Sequence, residues 1–340
     1  MTLDKALSSQ ALLTEVLSSQ VQVDVFGDIH GCFTALLKLL DRLGYEEQDG
    51  VYQHPERLAV FVGDLIDRGP QIRETLDLVY RMHQAGKALM VLGNHEYNAI
   101  RFQQEILVYL LAGDDSGIPD RLQRLMKETL DQFRDFPDDW QRFTQWFSAL
   151  PLYIDAPAFR VVHACWDESL IDEYKSRYPQ PELTQEFIAA SKQKGSFESQ
   201  LVDRLTRGTS MPLPDGMQLH SEDGFIRRFF RTKFWEESPK TYGDVVFQPD
   251  PLPYDLAEHP IKSHHKGKLL QYDSRAIPVF FGHYWLKGRP KPLQPNVACL
   301  DYSAVNFGRL TAYRFSGESV LSEDNFQWVY VERADKGESV

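Results

Sequence analysis

The stretch Leu58-Ala59-Val60-Phe61-Val62-Gly63-Asp64-Leu65-Ile66-Asp67-Arg68-Gly69 decides the reading of this 340-residue chain. A short continuous apolar run, bounded by a glycine, reads as a strand buried on both faces. Ile72, Leu76, Val79 and Met82 then recur at helical spacing. The same order stands on either side. Upstream, Val21-Gln22-Val23-Asp24-Val25-Phe26 runs into Gly27-Asp28-Ile29-His30-Gly31, followed by a wide apolar helical face from Phe33 to Leu43. Downstream, Lys87-Ala88-Leu89-Met90-Val91-Leu92 runs into Gly93-Asn94-His95-Glu96. A β-α-β-α-β order implies parallel strands joined by right-handed crossovers, with ligands bound beyond the carboxyl ends of the strands. All three polar blocks fall there.

The residue types in those blocks suit divalent metals. Asp28 and His30 are two apart, so both can face one site with Ile29 turned inward. Asp64 is the matching carboxylate after the second strand, and Asn94 and His95 follow the third. His163, after Phe159-Arg160-Val161-Val162, and His283, after Val279-Phe280-Phe281-Gly282, end two further apolar runs. Such nitrogen and oxygen donors fit two Mn, Fe or Zn ions sharing a carboxylate better than a thiolate-bound structural zinc. Two ions about 3.5–4 Å apart can hold a bridging hydroxide and grip the phosphate oxygens of an in-line displacement. Hydrolysis of a phosphate ester is therefore the leading expectation. Arg68 offers a rigid fork for phosphate oxygens. His95 stands where it can protonate a leaving alkoxide. Asp67 can hold that imidazole in its charged form, although a carboxylate there also suits a plain helix N-terminal charge.

The rest of the chain is less regular. From about residue 99 to 237 it reads as largely helical and charged, with a pair of strands between Leu152 and Val162. Residues 167–260 show no clean strand pattern and read as a helical insertion or cap, with Pro239 to Pro260 as a long loop. Strand patterns return at Ile277 to Phe281, Val297 to Leu300, Arg309 to Phe315 and Gln327 to Val331. Residues 1–20 read as a separate amphipathic helical segment, and residues 21–340 as one α/β domain. Phe225-Ile226-Arg227-Arg228-Phe229-Phe230-Arg231 interleaves rings and cations; an amphipathic cap element and a substrate-binding lid fit it equally. Tyr284-Trp285 suits pocket or core alike, and His264-His265, among lysines, reads as a solvated basic loop.

Composition excludes some partners. The balance of 37 Lys+Arg against 49 Asp+Glu gives a net charge of −12, which disfavours nucleic acid and anionic membrane as general partners. No run approaches a membrane span or a signal peptide. The three cysteines, Cys32, Cys165 and Cys299, form no disulfide framework, so a cytoplasmic location is expected.

The three blocks together resemble the signatures of the calcineurin-like metallophosphoesterases, and in detail the GDxHG, GDxxDRG and GNHE blocks of their phosphoprotein phosphatase branch, bacterial type. The resemblance implies a sandwich of two mixed β-sheets flanked by helices. It implies Asp28 and His30 as ligands of a first metal, Asp64 as the bridging ligand, and Asn94, His163 and His283 as ligands of a second. His95 with Asp67 would be the acid pair and Arg68 a phosphate contact. Ser303-Ala304-Val305-Asn306-Phe307 resembles the family's S-A-P-N-Y stretch, with Phe307 in place of the tyrosine. His163-Ala164-Cys165 departs from H-G-G. The second phosphate-binding arginine has no motif to anchor it; Arg227, Arg228 and Arg231 are the candidates. The resulting expectation is a manganese-type phosphatase acting on phosphomonoesters, with phosphoprotein (Ser/Thr or Tyr) first among substrates. A symmetrical dinucleoside-tetraphosphate hydrolase is the alternative, and a non-catalytic metal-binding scaffold the remote one.

Overall fold

Strand Leu58–Phe61 lies between two parallel neighbours, Val23–Phe26 and Ala88–Met90, in register Val25↔Val60 and Val60↔Leu89. The computed structural model describes residues 22–112, 119–178, 183–220, 226–248, 252–332 and 335. The helical segment expected at residues 1–20 lies outside them. Helices Phe33–Leu43 and Ile72–Gln84 form the crossovers. Beyond Val23–Phe26 the sheet continues antiparallel through Arg309–Phe315, which also pairs with Asp301–Tyr302 and Phe326–Tyr330.

A second sheet has the order Val297–Cys299, Val279–Phe281, Arg160–Val162, Tyr153–Asp155, with the first three parallel to one another. Alternation along the strands explains how the sheets pack. Val23, Val25, Leu58, Val60, Leu89 and Val91 from one sheet share a buried cluster with Ile154, Val161, Phe280 and Ala298 from the other. The intervening residues Phe26, Ala59, Phe61, Ala88 and Met90 face a second cluster with the crossover helices. Both faces of the central strands are thus covered, as their unbroken apolar sequence requires. The result is a two-sheet sandwich flanked by helices, with parallel strands of both sheets ending at one edge.

The segment after residue 167 is helical up to Arg207: Glu168–Arg177, Gln185–Ser191 and Phe197–Arg207, capped by the side chains of Asp167, Thr184 and Ser196. Beyond it lie strands that the sequence pattern hid. Ser210–Pro212, Phe229–Thr232 and Val246–Gln248 form a three-stranded sheet. Leu219–His220 pairs with Ile226–Arg227. These strands are two to four residues long and one pairing shifts register at Arg231/Thr232, so period-two alternation never develops. Met211, Leu213, Phe230, Tyr242, Val245, Val246 and Leu256 give this part its own core. Two expectations are corrected. Pro239 to Pro260 is not a plain loop but carries the short helices Tyr242–Val245 and Tyr254–Ala257. His265 is not solvated: it is buried and hydrogen-bonds Tyr242 Oη through Nδ1 at 2.8 Å.

Candidate metal centre

At the shared edge of the sandwich, successive parallel strands deliver Asp28, Asp64, Asn94 with His95, His163, His283 and Asp301. Asp64 is the hub. Its Oδ2 lies 3.2 Å from His163 Nε2, 3.7 Å from His30 Nε2 and 3.8 Å from His95 Nε2. Asp64 thus belongs to two donor groups at once, one with His30 and His95, the other with His163 and His283. His163 Nε2 is also 3.1 Å from Asn94 Oδ1. Asp28 sits behind His283 and accepts the His283 backbone N–H at 3.0 Å through Oδ2.

The imidazoles are aimed, not merely nearby. His30 Nδ1 bonds the Ile66 carbonyl at 2.7 Å, and His163 Nδ1 bonds the Val62 carbonyl at 2.7 Å. Each bond places the proton on Nδ1 and turns a basic Nε2 toward the cluster, the arrangement that metal-binding histidines use. The backbone is bent to the same end. His30, Asp64, Asp67, Arg68 and His283 all have positive φ, between 46° and 68°. Non-glycine residues there are strained, and such strain collects at functional sites. Glu96 offsets part of it by accepting the backbone N–H groups of Asp64 and Leu65, each at 2.8 Å.

Charge in the cluster is tightly balanced. Burial raises Asp28 well above the usual carboxylate range, and the neighbouring Asp301 adds to the effect. Burial alone would also raise Asp64, but the His163 and His95 imidazoles outweigh it and hold that carboxyl well down. Burial pulls His163 down, yet the Asp64 carboxylate overrides it and brings the ring to about 9. Burial takes His283 well below its ordinary value, helped by the Arg231 guanidinium. His283 Nε2 is buried and has no hydrogen-bond partner among the described residues. A buried carboxylate shared by two donor groups, imidazole nitrogens turned inward and one imidazole nitrogen without a partner among the described residues are what divalent cations would satisfy, so the residues present fit a metal pair.

His95 is held differently from the other rings. Its Nδ1 lies 2.5 Å from Asp67 Oδ2, and its backbone N–H donates to Asp64 Oδ1 at 3.1 Å. Burial lowers this ring, but Asp64 and the bond from Asp67 outweigh that and raise it. Asp67 is buried and lies ahead of helix Ile72–Gln84, with its carboxylate on His95 and Thr129. Arg68 is exposed, with Nη1 3.5 Å from His30 Nε2.

Of the arginine candidates, Arg231 is the one whose charge is felt at the centre, on His283. It shares one strand face with Phe229, opposite the buried Phe230 and Thr232, and its guanidinium lies 5.7 Å from the Tyr284 ring centroid. Its Nη1 is buried and without a hydrogen-bond partner among the described residues. Arg228 is exposed and Arg227 half-buried. Tyr284 belongs to the core: it is fully buried, packs on Trp235 and Phe281, and donates its hydroxyl to the Thr232 carbonyl at 3.2 Å. Phe307 follows the short turn Ala304–Asn306 and is 39 % exposed. Sequence reasoning did not single out Asp301, Glu96 or Thr129. Asp301 directly precedes the Tyr302-Ser303 pair, yet only its burial beside Asp28 marks it.

Gly282 shows how closely the two sheets meet here. A Cβ on it would lie 1.8 Å from Asp28 Oδ1 and 2.8 Å from Val62 Cγ2. Gly282→Ala must therefore displace Asp28, and bound metal per chain and the melting temperature should both fall. Metal analysis alongside a thermal melt checks this; unchanged metal content would show that Asp28 tolerates displacement.

Residues 21–284 match the family model described as calcineurin-like phosphoesterase. An asymmetrical bis(5'-nucleosyl)-tetraphosphatase PrpE of Halalkalibacterium halodurans is 34 % identical over 160 residues, covering 46 % of this chain and 62 % of that protein. The match thus spans less than two thirds of the relative's own length. The enzyme of the same description from Oceanobacillus iheyensis is 31 % identical over 182 residues, covering 53 % of this chain and 68 % of its own. A protein serine/threonine phosphatase from Saccharomyces cerevisiae superposes with a TM-score of 0.50 at 13 % identity, over 99 % of this chain and 90 % of that one, a likeness of fold alone. No helix among the described residues is long and apolar enough to cross a membrane.

Proposed function

The chain belongs to the calcineurin-like phosphoesterases, and from that premise we propose that it hydrolyses phosphate esters at a dinuclear metal centre built around Asp64. The observation that carries this reading is the position of the Asp64 carboxylate, common to two donor groups. Asp28 and His30 with Asp64 would hold one ion; Asn94, His163 and His283 with Asp64 would hold the other. Bound there, two divalent ions supply positive charge to phosphate oxygens and an acidified water at neutral pH.

The side chains do the rest. Arg68, exposed beside His30, and Arg231, whose Nη1 has no partner among the described residues, grip the phosphate. His95 gives its Nε2 proton to the leaving oxygen, while Asp67 on Nδ1 keeps the ring charged and oriented. His95 Nε2 also lies within reach of the His30–Asp64 group, so the proton-donor role is separable from a ligand role only by metal content. The segment from about 167 to 260 acts as a cap, bringing Arg231 to the edge of the sandwich.

For the substrate we favour a dinucleoside polyphosphate over a phosphoprotein. Two observations support this: the activity of the relatives, and the arginines on the cap, where burial weakens Arg231's hold on its proton and the nearby Arg227 and Arg207 add to the effect. A chain of phosphates carries charge enough to use such a row. Metal-loaded enzyme should turn over diadenosine tetraphosphate faster than phosphotyrosine or phosphoserine peptides; the reverse order makes it a phosphoprotein phosphatase. Products separate the two cleavage modes: two diphosphates if symmetrical, a mono- and a triphosphate if asymmetrical. Arg231→Gln should lower kcat/KM about 10- to 100-fold, the worth of a charge-assisted hydrogen bond. An unchanged kcat/KM would remove Arg231 from the phosphate site.

A further inference from the structure

The Asp67–His95 pair has a third member that comes from a distant helix. Helix Asp120–Phe133 is kinked at Met126, where φ is −130° and ψ 21°. Three residues past the kink, Thr129 is fully buried against Asp67. Its hydroxyl donates a short hydrogen bond to Asp67 Oδ1, and its oxygen accepts the Asp67 backbone N–H at 3.0 Å. One turn on, Gln132 accepts the Ile72 N–H at 2.6 Å and donates to the Gly69 carbonyl at 3.1 Å. The helix therefore clamps the loop from Asp67 to Ile72 at both ends.

We propose that Thr129 is a positioning residue for proton donation: it fixes the Asp67 carboxylate so that Oδ2 meets His95 Nδ1. The physical case rests on accounting. A threonine inside a helix ordinarily turns its hydroxyl back to a carbonyl one turn earlier. Here the hydroxyl's single proton goes to a carboxylate, and its lone pair takes a backbone N–H from a residue with φ of 68°. Asp67 cannot swing about its χ2 without losing that bond, so its other oxygen stays fixed 2.5 Å from the imidazole. A buried carboxylate with one partner free to rotate would orient the ring less sharply. The order of action is thus Thr129 to Asp67 to His95, and Thr129 touches no reacting atom.

This inference rests on His95 as proton donor, and its test separates the two. Thr129→Val keeps the shape and removes the hydroxyl; Thr129→Ser restores it. Zinc-loaded enzyme, Thr129→Val, Thr129→Ser and His95→Asn would be compared for hydrolysis of aryl phosphates or aryl nucleotide esters of graded leaving ability, and for the imidazole N–H proton resonance of His95 by NMR. For Thr129→Val the expected result is a kcat loss of about tenfold on the poorest leaving group, part of the ~10²–10⁴ that a positioned acid supplies. The loss on the best leaving group should be under about twofold. The downfield His95 resonance should move upfield, and Thr129→Ser should recover both. Equal losses across the series, or a resonance that stays in place in Thr129→Val, would overturn the proposal. If His95→Asn itself shows no dependence on the leaving group, the donor reading falls. The NMR arm then still decides, by its shift or constancy, whether Thr129 orients the pair.

Discussion

Asp64→Asn is expected to strip the centre and abolish turnover. The substitution is nearly isosteric, so packing is preserved and the loss reports on charge. Asp64 is 2 % exposed, and its Oδ2 lies within 3.8 Å of three imidazole nitrogens. No other carboxylate among the described residues joins both donor groups. Loss of an outer-shell partner alone costs a metal site about 10- to 100-fold in affinity; loss of a shared ligand should exceed that for both ions together. Metal analysis after gel filtration should find well under one ion per chain, with kcat/KM down by at least about 10³-fold if both ions supply charge in the transition state. Retention of two ions, with full activity, would show that Asp64 does not bridge.

His95→Asn should behave in the opposite way with respect to metal. Its Nε2 faces the same hub, 3.8 Å from Asp64 Oδ2, so geometry admits it as a ligand. Its Nδ1, however, is bound to a buried carboxylate instead of a backbone carbonyl, unlike the Nδ1 of His30 and of His163. A carboxylate there favours the charged imidazolium, which donates a proton and cannot ligate. The expected outcome is an unchanged metal content with kcat lowered by about 10²–10⁴ on poor leaving groups and much less on good ones. Loss of one ion per chain would make His95 a ligand. Equal slowing on all leaving groups would leave the protein without its proposed acid.

How much of this was legible in the sequence depends on distance along the chain. The central strands are buried on both faces, so their apolar runs stand out, and the polar residues ending them sit where parallel topology brings them together. That is why the sequence pattern alone puts Asp28, His30, Asp64, Asn94, His95, His163 and His283 at one edge. Thr129 could not. It lies 62 residues from Asp67, inside an ordinary amphipathic helix, and only the fold sets its hydroxyl against that carboxylate. Arg231 was one candidate among three because Arg227, Arg228 and Arg231 differ only in which face of a short, irregular strand they occupy. Tyr284 follows a site histidine directly, yet φ of 64° at His283 turns the chain and sends the next ring into the core. Backbone conformation of that kind leaves no mark on residue type. His265 was misread for the reverse reason. Its lysine neighbours suggested solvent, while the fold buries its ring against Phe230 and Tyr242.

The most direct test is a metal titration followed by activity. Enzyme stripped with chelator and dialysed would be titrated with Mn(II) while bound metal per chain and hydrolysis of diadenosine tetraphosphate and an aryl phosphate are read together. Negligible turnover in the stripped protein, and activity rising to a plateau at two ions per chain, is the predicted result. Full turnover in the stripped protein, or a plateau reached at a single ion, would contradict a dinuclear centre shared through Asp64.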